Sequence, residues 1–259
     1  MRHVTETIAA RREPVGDLTV LRALPTRTRR SVGPFVFLDH FGPFVVKPGP
    51  GIPAHPHAGI EVITYLFDGE QVHRDSLGNE SRVGAGGAQW LTAGRGVIHA
   101  EKPEPGVSLH GVQMWTSLPR ARKHVEPRYR AVPASEVPDA QVDGAIVSVV
   151  AGSFAGAAGP VALAQPALLV RVRCGRECRL PVDPAFELAV YRLSGALDLL
   201  SAGDAVAFPP GEYLLFGGEP AEGPLLFGGP FVMNSEEQLA QAGTDYLRGA
   251  MGTLDGVPF

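Results

Sequence analysis

Two short stretches of this chain carry side chains that can bind a metal. The first is His55-Pro56-His57-Ala58-Gly59-Ile60-Glu61, and the second is Gly94-Arg95-Gly96-Val97-Ile98-His99-Ala100-Glu101. Side chains on a strand alternate faces, so His55 and His57 point one way along their strand, and His99 and Glu101 do the same on theirs. If those strands meet inside a small barrel, three imidazoles and a carboxylate converge. That donor set suits a divalent first-row metal, and a six-coordinate ion held by four protein groups keeps two positions for water, substrate or dioxygen. Such an open coordination sphere points to chemistry.

The elements around these residues read as strands and turns. Leu18 to Leu24 alternates, Gly33 to Pro43 is an apolar run between Gly-Pro pairs, and Glu61 to Leu66 is rich in β-branched and aromatic residues. Asp68-Gly69, Gly78-Asn79 and Gly84 to Gly87 mark turns, and Ser108 to Leu118 adds another strand. Strands separated by glycine-marked turns at roughly eight- to twelve-residue intervals indicate an antiparallel sandwich or barrel. A basic loop, Arg120 to Arg130, follows, and the Pro-, Ala- and Gly-rich stretch 131–160 reads as a linker and the start of a second domain. The expected organisation is 1–130 as a metal-binding domain and 161–259 as a second domain without a metal.

The second half echoes the first. Glu61-x-x-x-Tyr65-x-x-x-Gly69 returns as Glu187-x-x-x-Tyr191-x-x-x-Gly195, while Pro181 and Asp183 stand where His55 and His57 would be. Pro209-x-Gly211 sets Leu214 against His99 and Phe216 against Glu101, and no histidine follows His124. The second barrel is therefore expected to be filled with apolar side chains. Asn234 with Glu237 three residues later predicts a capped helix over 235–247, packed across a barrel.

Composition excludes several functions. Net charge is −4, against general nucleic-acid binding, although 1–130 holds 17 basic and 12 acidic residues while 131–259 holds 6 and 15. No apolar run reaches about 18 residues, and the amino terminus lacks a signal-peptide pattern. A cytoplasmic, monomeric protein with no membrane or direct nucleic-acid contact is expected. Cys174 and Cys178 are too few for a disulfide framework and read as bystander thiols.

Gly49, His55-x-His57, Glu61 and Gly96-x-x-His99 resemble the two short motifs of the cupin superfamily, with Gly94 in place of the usual proline and Pro103 in place of an asparagine. A closer resemblance follows from longer stretches. FVFLDHFGP, HPHAGIE, QWLTAGRGVIHAE, HGVQMW and GPFVMNSEE are similar to the pirin family, in order, over essentially the whole chain. The resemblance implies an all-β bicupin, two tandem jelly-roll barrels with a C-terminal helix, and a metal in the first barrel alone. It also implies Glu101 as the fourth ligand. In cupins generally the glutamate of the first motif, here Glu61, takes that place, so Glu61 stands as an alternative ligand or as a support for the ligands.

Pirin-like proteins resemble quercetin 2,3-dioxygenases in site chemistry. The implied activity is oxidative ring cleavage of a flavonol with dioxygen, releasing carbon monoxide and a depside, with Glu101 also serving as general base. Iron(II) is the expected ion, while Mn, Co, Ni, Cu and Zn suit the same donors. Phe37, Trp90, Gln113 and Trp115 are candidates for an aromatic-binding cavity; His110 falls on the face opposite Gln113. Asp39 and His40 are expected in structural hydrogen bonds, and His3, His73 and His124 on the surface or in loops. The rival reading is an iron-containing regulator that binds partner proteins according to its redox state, without turnover. A cupin-type sugar isomerase fits less well, because it needs no four-ligand metal set.

Overall fold

The computed structural model describes residues 1–16 and 18–256. The first half contributes β1 (Val4–Ala9), β2 (Arg11–Val15), β3 (Leu18–Leu24), β4 (Phe35–Val45), β5 (Ile52–His57), β6 (Ile60–Asp68), β7 (Glu70–Asp75), β8 (Glu80–Gly84), β9 (Ala88–Thr92), β10 (Val97–Pro103), β11 (Ser108–Ser117) and β12 (Arg128–Val132). The second contributes β13 (Asp139–Val142), β14 (Ala145–Ala151), β15 (Ser153–Phe154), β16 (Ala157–Ala158), β17 (Ala167–Cys174), β18 (Cys178–Pro181), β19 (Glu187–Arg192) and β20 (Ala196–Leu200). After these come β21 (Ala205–Phe208), β22 (Gly211–Gly218), β23 (Leu226–Gly228), β24 (Phe231–Met233) and α1 (Glu236–Leu247). The fold is the expected all-β bicupin with one C-terminal helix. No helix among the described residues is long and apolar enough to cross a membrane.

The first barrel is closed by two antiparallel sheets, β12-β9-β6-β11-β4-β3-β2 and β5-β10-β7-β8. Register carries polar residues across the inner face of the larger sheet: Arg22 pairs with Asp39, Asp39 with Gln113, Gln113 with Thr64 and Thr64 with Gln89. In the smaller sheet His99 stands opposite His55 on one side and Asp75 on the other, and Glu101 stands opposite His73. A polar interior in an otherwise apolar barrel costs free energy unless its groups are bonded to each other or to a ligand.

The second barrel follows the order β1-β20-β19-β22-β17-β14-β13, with β18 and β21 as a separate pair. Its interior is apolar, built from residues such as Val147, Val149, Val170, Val172 and Leu215. The repeat differs from the motif spacing in one respect. β22 lies between β17 and β19 as β11 lies between β4 and β6, so β22 corresponds to β11, while β21 pairs with β18 as β10 pairs with β5. Val206 and Phe208 on β21, and not Leu214 and Phe216, therefore occupy the region of His99. Leu214 and Phe216 face the first barrel; Phe216 meets Phe35 edge-on, with centroids 5.3 Å apart, in the core shared by both halves.

The chain ends cross between the barrels. β1 pairs antiparallel with β20 of the second barrel. Conversely, Phe231 on β24 bridges to Ala58 of the first barrel, and Ala242 of α1 shares a buried cluster with Ala58 and Met233. The helix cap is Ser235, one residue later than expected: its hydroxyl accepts from the Gln238 amide, while Asn234 donates its side-chain amide to the carbonyls of Glu222 and Pro224.

Candidate metal centre

Gly59 sits in the tight turn between β5 and β6 at φ +75°, and a Cβ there would meet the Val232 carbonyl oxygen at 2.2 Å. Only glycine tolerates this combination. The turn passes the chain from the smaller sheet to the larger one, so alternation does not carry through from His57 to Glu61. Glu61 consequently faces away from His57, toward the boundary between the barrels. Its carboxylate accepts from Trp90 Nε1, Thr92 Oγ1, Thr116 Oγ1 and the Ala164 amide. Burial raises its pKa, and these four donors oppose that shift. Trp90 lies on the same outward face, in the core between the barrels, and is not part of the cavity wall.

His55, His57 and His99 offer one donor atom each within 4.8 Å of one another. His55 donates Nδ1–H to the Pro53 carbonyl at 2.8 Å and His57 donates Nδ1–H to the Pro230 carbonyl at 3.1 Å. Carbonyls only accept, so both rings carry their proton on Nδ1 and present an Nε2 lone pair to the centre. His55 Nε2 and His99 Nε2 are 3.0 Å apart, and His57 Nε2 is buried with no hydrogen-bond partner. Burial first, and then the neighbouring His55, push the His57 pKa down to about 3; burial also pulls His99 well below its usual value. His57 and His99, kept neutral by burial, together with His55 beside them fit a divalent cation.

Glu101 falls outside that group of three. Its Oε2 accepts from Gln113 Nε2 at 2.8 Å and its Oε1 from Thr64 Oγ1 at 3.3 Å, while Trp115 Nε1 donates to Gln113 Oε1 at 3.3 Å. Trp115 thus fixes the amide that fixes the carboxylate. Glu101, His55 and His57 line one cavity of about 500 Å³, together with Phe37, Gln113 and Trp115. Phe37 and Trp115 stack at 4.0 Å and 11° to form an aromatic wall. Arg22 lies over Phe37 and grips Asp39 through two bonds of 2.8 and 2.7 Å. Asp39 therefore both lines the cavity and serves a structural bond.

His73 departs from expectation. It is 1% exposed, stacks on Tyr129 at 3.8 Å, and shares a 3.0 Å bond with Asp75, directly behind His99. The alternation Gln71, His73, Asp75 against Val72 and Arg74 carried that signal. Arg22 and Pro230 carried none, since each reaches the site through a partner distant in sequence. His40 is buried between the barrels, 3.0 Å from Tyr191 Oη and 2.8 Å from His110 Nε2. His3 and His124 are exposed.

Residues 17–116 match the family model described as Pirin, and residues 209–252 match the Pirin C-terminal cupin domain. The chain is 31% identical to pirin of Mus musculus, covering 98% of this chain and 95% of that protein. It is 34% identical to a pirin-like protein of Caulobacter vibrioides, covering 95% and 94%. Among solved structures, a quercetin 2,3-dioxygenase from Acinetobacter baumannii superposes with a TM-score of 0.90 at 27% identity, covering 97% and 92%.

Proposed function

This chain belongs to the pirin family, and on that premise we propose that it is a metal-dependent dioxygenase cleaving flavonols such as quercetin. One observation carries the reading: a cluster of three imidazoles, two of which, His55 and His57, line a cavity of about 500 Å³ with a stacked aromatic wall. A structural wall would need no lone pairs aimed into a space of that size. His55, His57 and His99 would hold the metal, with Glu101 completing the set from the adjoining wall. Iron(II) is the assigned ion and the cytoplasm the assigned compartment.

When bound, the metal supplies Lewis acidity, lowering the pKa of the flavonol 3-hydroxyl so that its enolate can meet dioxygen. The chain supplies the rest. Phe37 and Trp115 offer the flat face against which the substrate's rings pack. Glu101 lies beside the histidines and accepts the hydroxyl proton, while Gln113 and Thr64 keep its oxygens aimed at the cavity. The Arg22–Asp39 pair closes the wall as a neutral unit, so it admits an uncharged aromatic without an unpaired charge.

The test is oxygen uptake and carbon monoxide release by anaerobically iron-loaded protein mixed with quercetin. Uptake equal to that of His99→Ala overturns the enzyme reading. The regulatory alternative drew on basic residues of the first half, but Arg29 is paired with Glu187 and Arg30 is engaged by the Leu225 carbonyl and Phe227. Elemental analysis of protein from its own host tests the choice of iron.

A further inference from the structure

One buried amide inside the first barrel is left over. Gln71 is 4% exposed, and alternation along β7 turns it to the same interior face as His73 and Asp75. Gln89 Nε2 donates to the Gln71 backbone carbonyl at 3.3 Å, but among the described residues no group bonds the Gln71 side chain. Gln113, by contrast, is engaged at both ends, by Glu101 and by Trp115. Gln71 borders a space of about 40 Å³ together with Asp39, Glu101 and Gln113, and its other walls, Phe41 and Leu109 among them, are apolar. Asp39, Glu101 and Gln113 also line the cavity of the metal centre, so the small space is an alcove of that cavity. Arg22 holds Asp39, and Gln113 and Thr64 hold Glu101, which leaves the Gln71 amide as the unengaged polar group of the alcove. A buried amide without a partner costs free energy, which a ligand, or the water a ligand displaces, can relieve.

We propose that Gln71 is a specificity-determining residue that binds a phenolic hydroxyl on the part of the flavonol remote from the metal; the proposal rests on the dioxygenase reading above. An amide donates and accepts, and so does a phenol. A carboxylate or phosphate in the alcove would meet Asp39 and Glu101, whereas a hydroxyl carries no charge to be opposed. A space of about 40 Å³ holds water and admits the polar tip of a substrate. The register also fits. His99 stands opposite Asp75, Glu101 opposite His73 and Pro103 opposite Gln71, so Gln71 lies four residues, about 13 Å of strand, beyond the level of His99. A three-ring flavonol held at the histidines by its 3-hydroxyl extends past Glu101 toward that level, and the Gln71 side chain spans the remainder. Flavonols bearing further hydroxyls are thereby favoured over the bare ring system.

The test measures equilibrium binding of quercetin and of 3-hydroxyflavone, which keeps only the metal-binding hydroxyl, to the full chain loaded with redox-inert zinc, by the absorbance change of each flavonol. Gln71→Met, close in shape but without the amide, should lower the affinity for quercetin relative to 3-hydroxyflavone by about 3- to 10-fold, the worth of one hydrogen bond between neutral groups, at equal zinc content. Gln71→Asn, whose amide stops one methylene short, should lower the same ratio and provides the comparison should the methionine variant not fold. A ratio equal to that of the unsubstituted chain overturns the subsite, and if the iron-loaded protein still turns quercetin over it overturns the subsite alone. A lowered ratio in a protein that takes up no oxygen with quercetin upholds the subsite and overturns the dioxygenase reading. Binding of neither flavonol overturns both.

Discussion

Glu61 and Glu187 make the same bond in opposite directions. Glu61 of the first barrel accepts the amide of Ala164 from the second half at 2.9 Å, and Glu187 of the second accepts the amide of Gly33 from the first at 3.0 Å. The pair clamps the two barrels from both sides, which accounts for a glutamate at position 187 in a barrel with no metal-binding histidines. Both carboxylates hold the two barrels together.

Glu61→Ala should therefore destabilise without emptying the metal site. It leaves Trp90, Thr92, Thr116 and Ala164 without their acceptor, and a buried donor left unpaired costs about 1–3 kcal/mol. Partial relaxation keeps the total below a simple sum, so a loss of roughly 3 kcal/mol is expected in urea unfolding. Metal content by elemental analysis should match the unsubstituted protein. A stable variant that has lost its metal would instead make Glu61 a ligand.

Lys123 ties the C-terminal segment to the ligand-bearing turn. Its ammonium is fully buried and donates to the carbonyls of Gly59 and Val232 and to Ser117 Oγ at 2.7–2.8 Å. Gly59 follows His57 by two residues, and Val232 follows Pro230, whose carbonyl orients the His57 ring. Lys123→Met should lower metal affinity about 10- to 100-fold, the usual cost of releasing a ligand's orienting partner, although Lys123 touches no ligand. Competition against a chromophoric chelator measures this. An unchanged affinity would show that Pro230 keeps its place without the ammonium.

Much of this architecture was legible because strand alternation is local. His55 with His57, and His99 with Glu101, follow from a period of two and from glycine turns that close each strand. What alternation cannot carry is a change of sheet. The Gly59 turn faces Glu61 away from His57, and Trp90 faces outward with it. Pairings between distant strands were equally invisible: Arg22 meets Asp39, and His57 meets Pro230, only after the barrels close. The repeat was readable at Glu187 and Tyr191, yet the Pro209-x-Gly211 spacing pointed to β22 where topology assigns β21.

Glu101→Gln separates proton transfer from metal binding. The amide retains an oxygen for Gln113 Nε2 to bond and nearly the same shape, but it does not take up the flavonol proton. Turnover of quercetin should fall about 10²–10⁴-fold, the range for loss of a general base, with the three-histidine site still loaded by elemental analysis. Loss of metal in parallel with activity would assign Glu101 to binding alone.

The last expectation concerns acid. His40 is 2% exposed and held between Tyr191 and His110; burial, and then His110, push its pKa down to about 4. In the unfolded chain a histidine titrates near 6.5. Between those values the unfolded state binds more protons, so stability falls as pH drops from about 6.5 toward 4. Asp68, Glu212 and Arg171 act on His110, whose pKa is also lowered, first by burial, and they therefore shape the same transition. His40 alone should account for a loss on the order of 2 kcal/mol between pH 7 and pH 4.5. Urea midpoints of metal-loaded protein at the two pH values measure the total, and His40→Gln, less stable at pH 7, should show a smaller drop. An equal drop in both proteins would move the acid sensitivity to the metal-site histidines, which release their cation when they protonate.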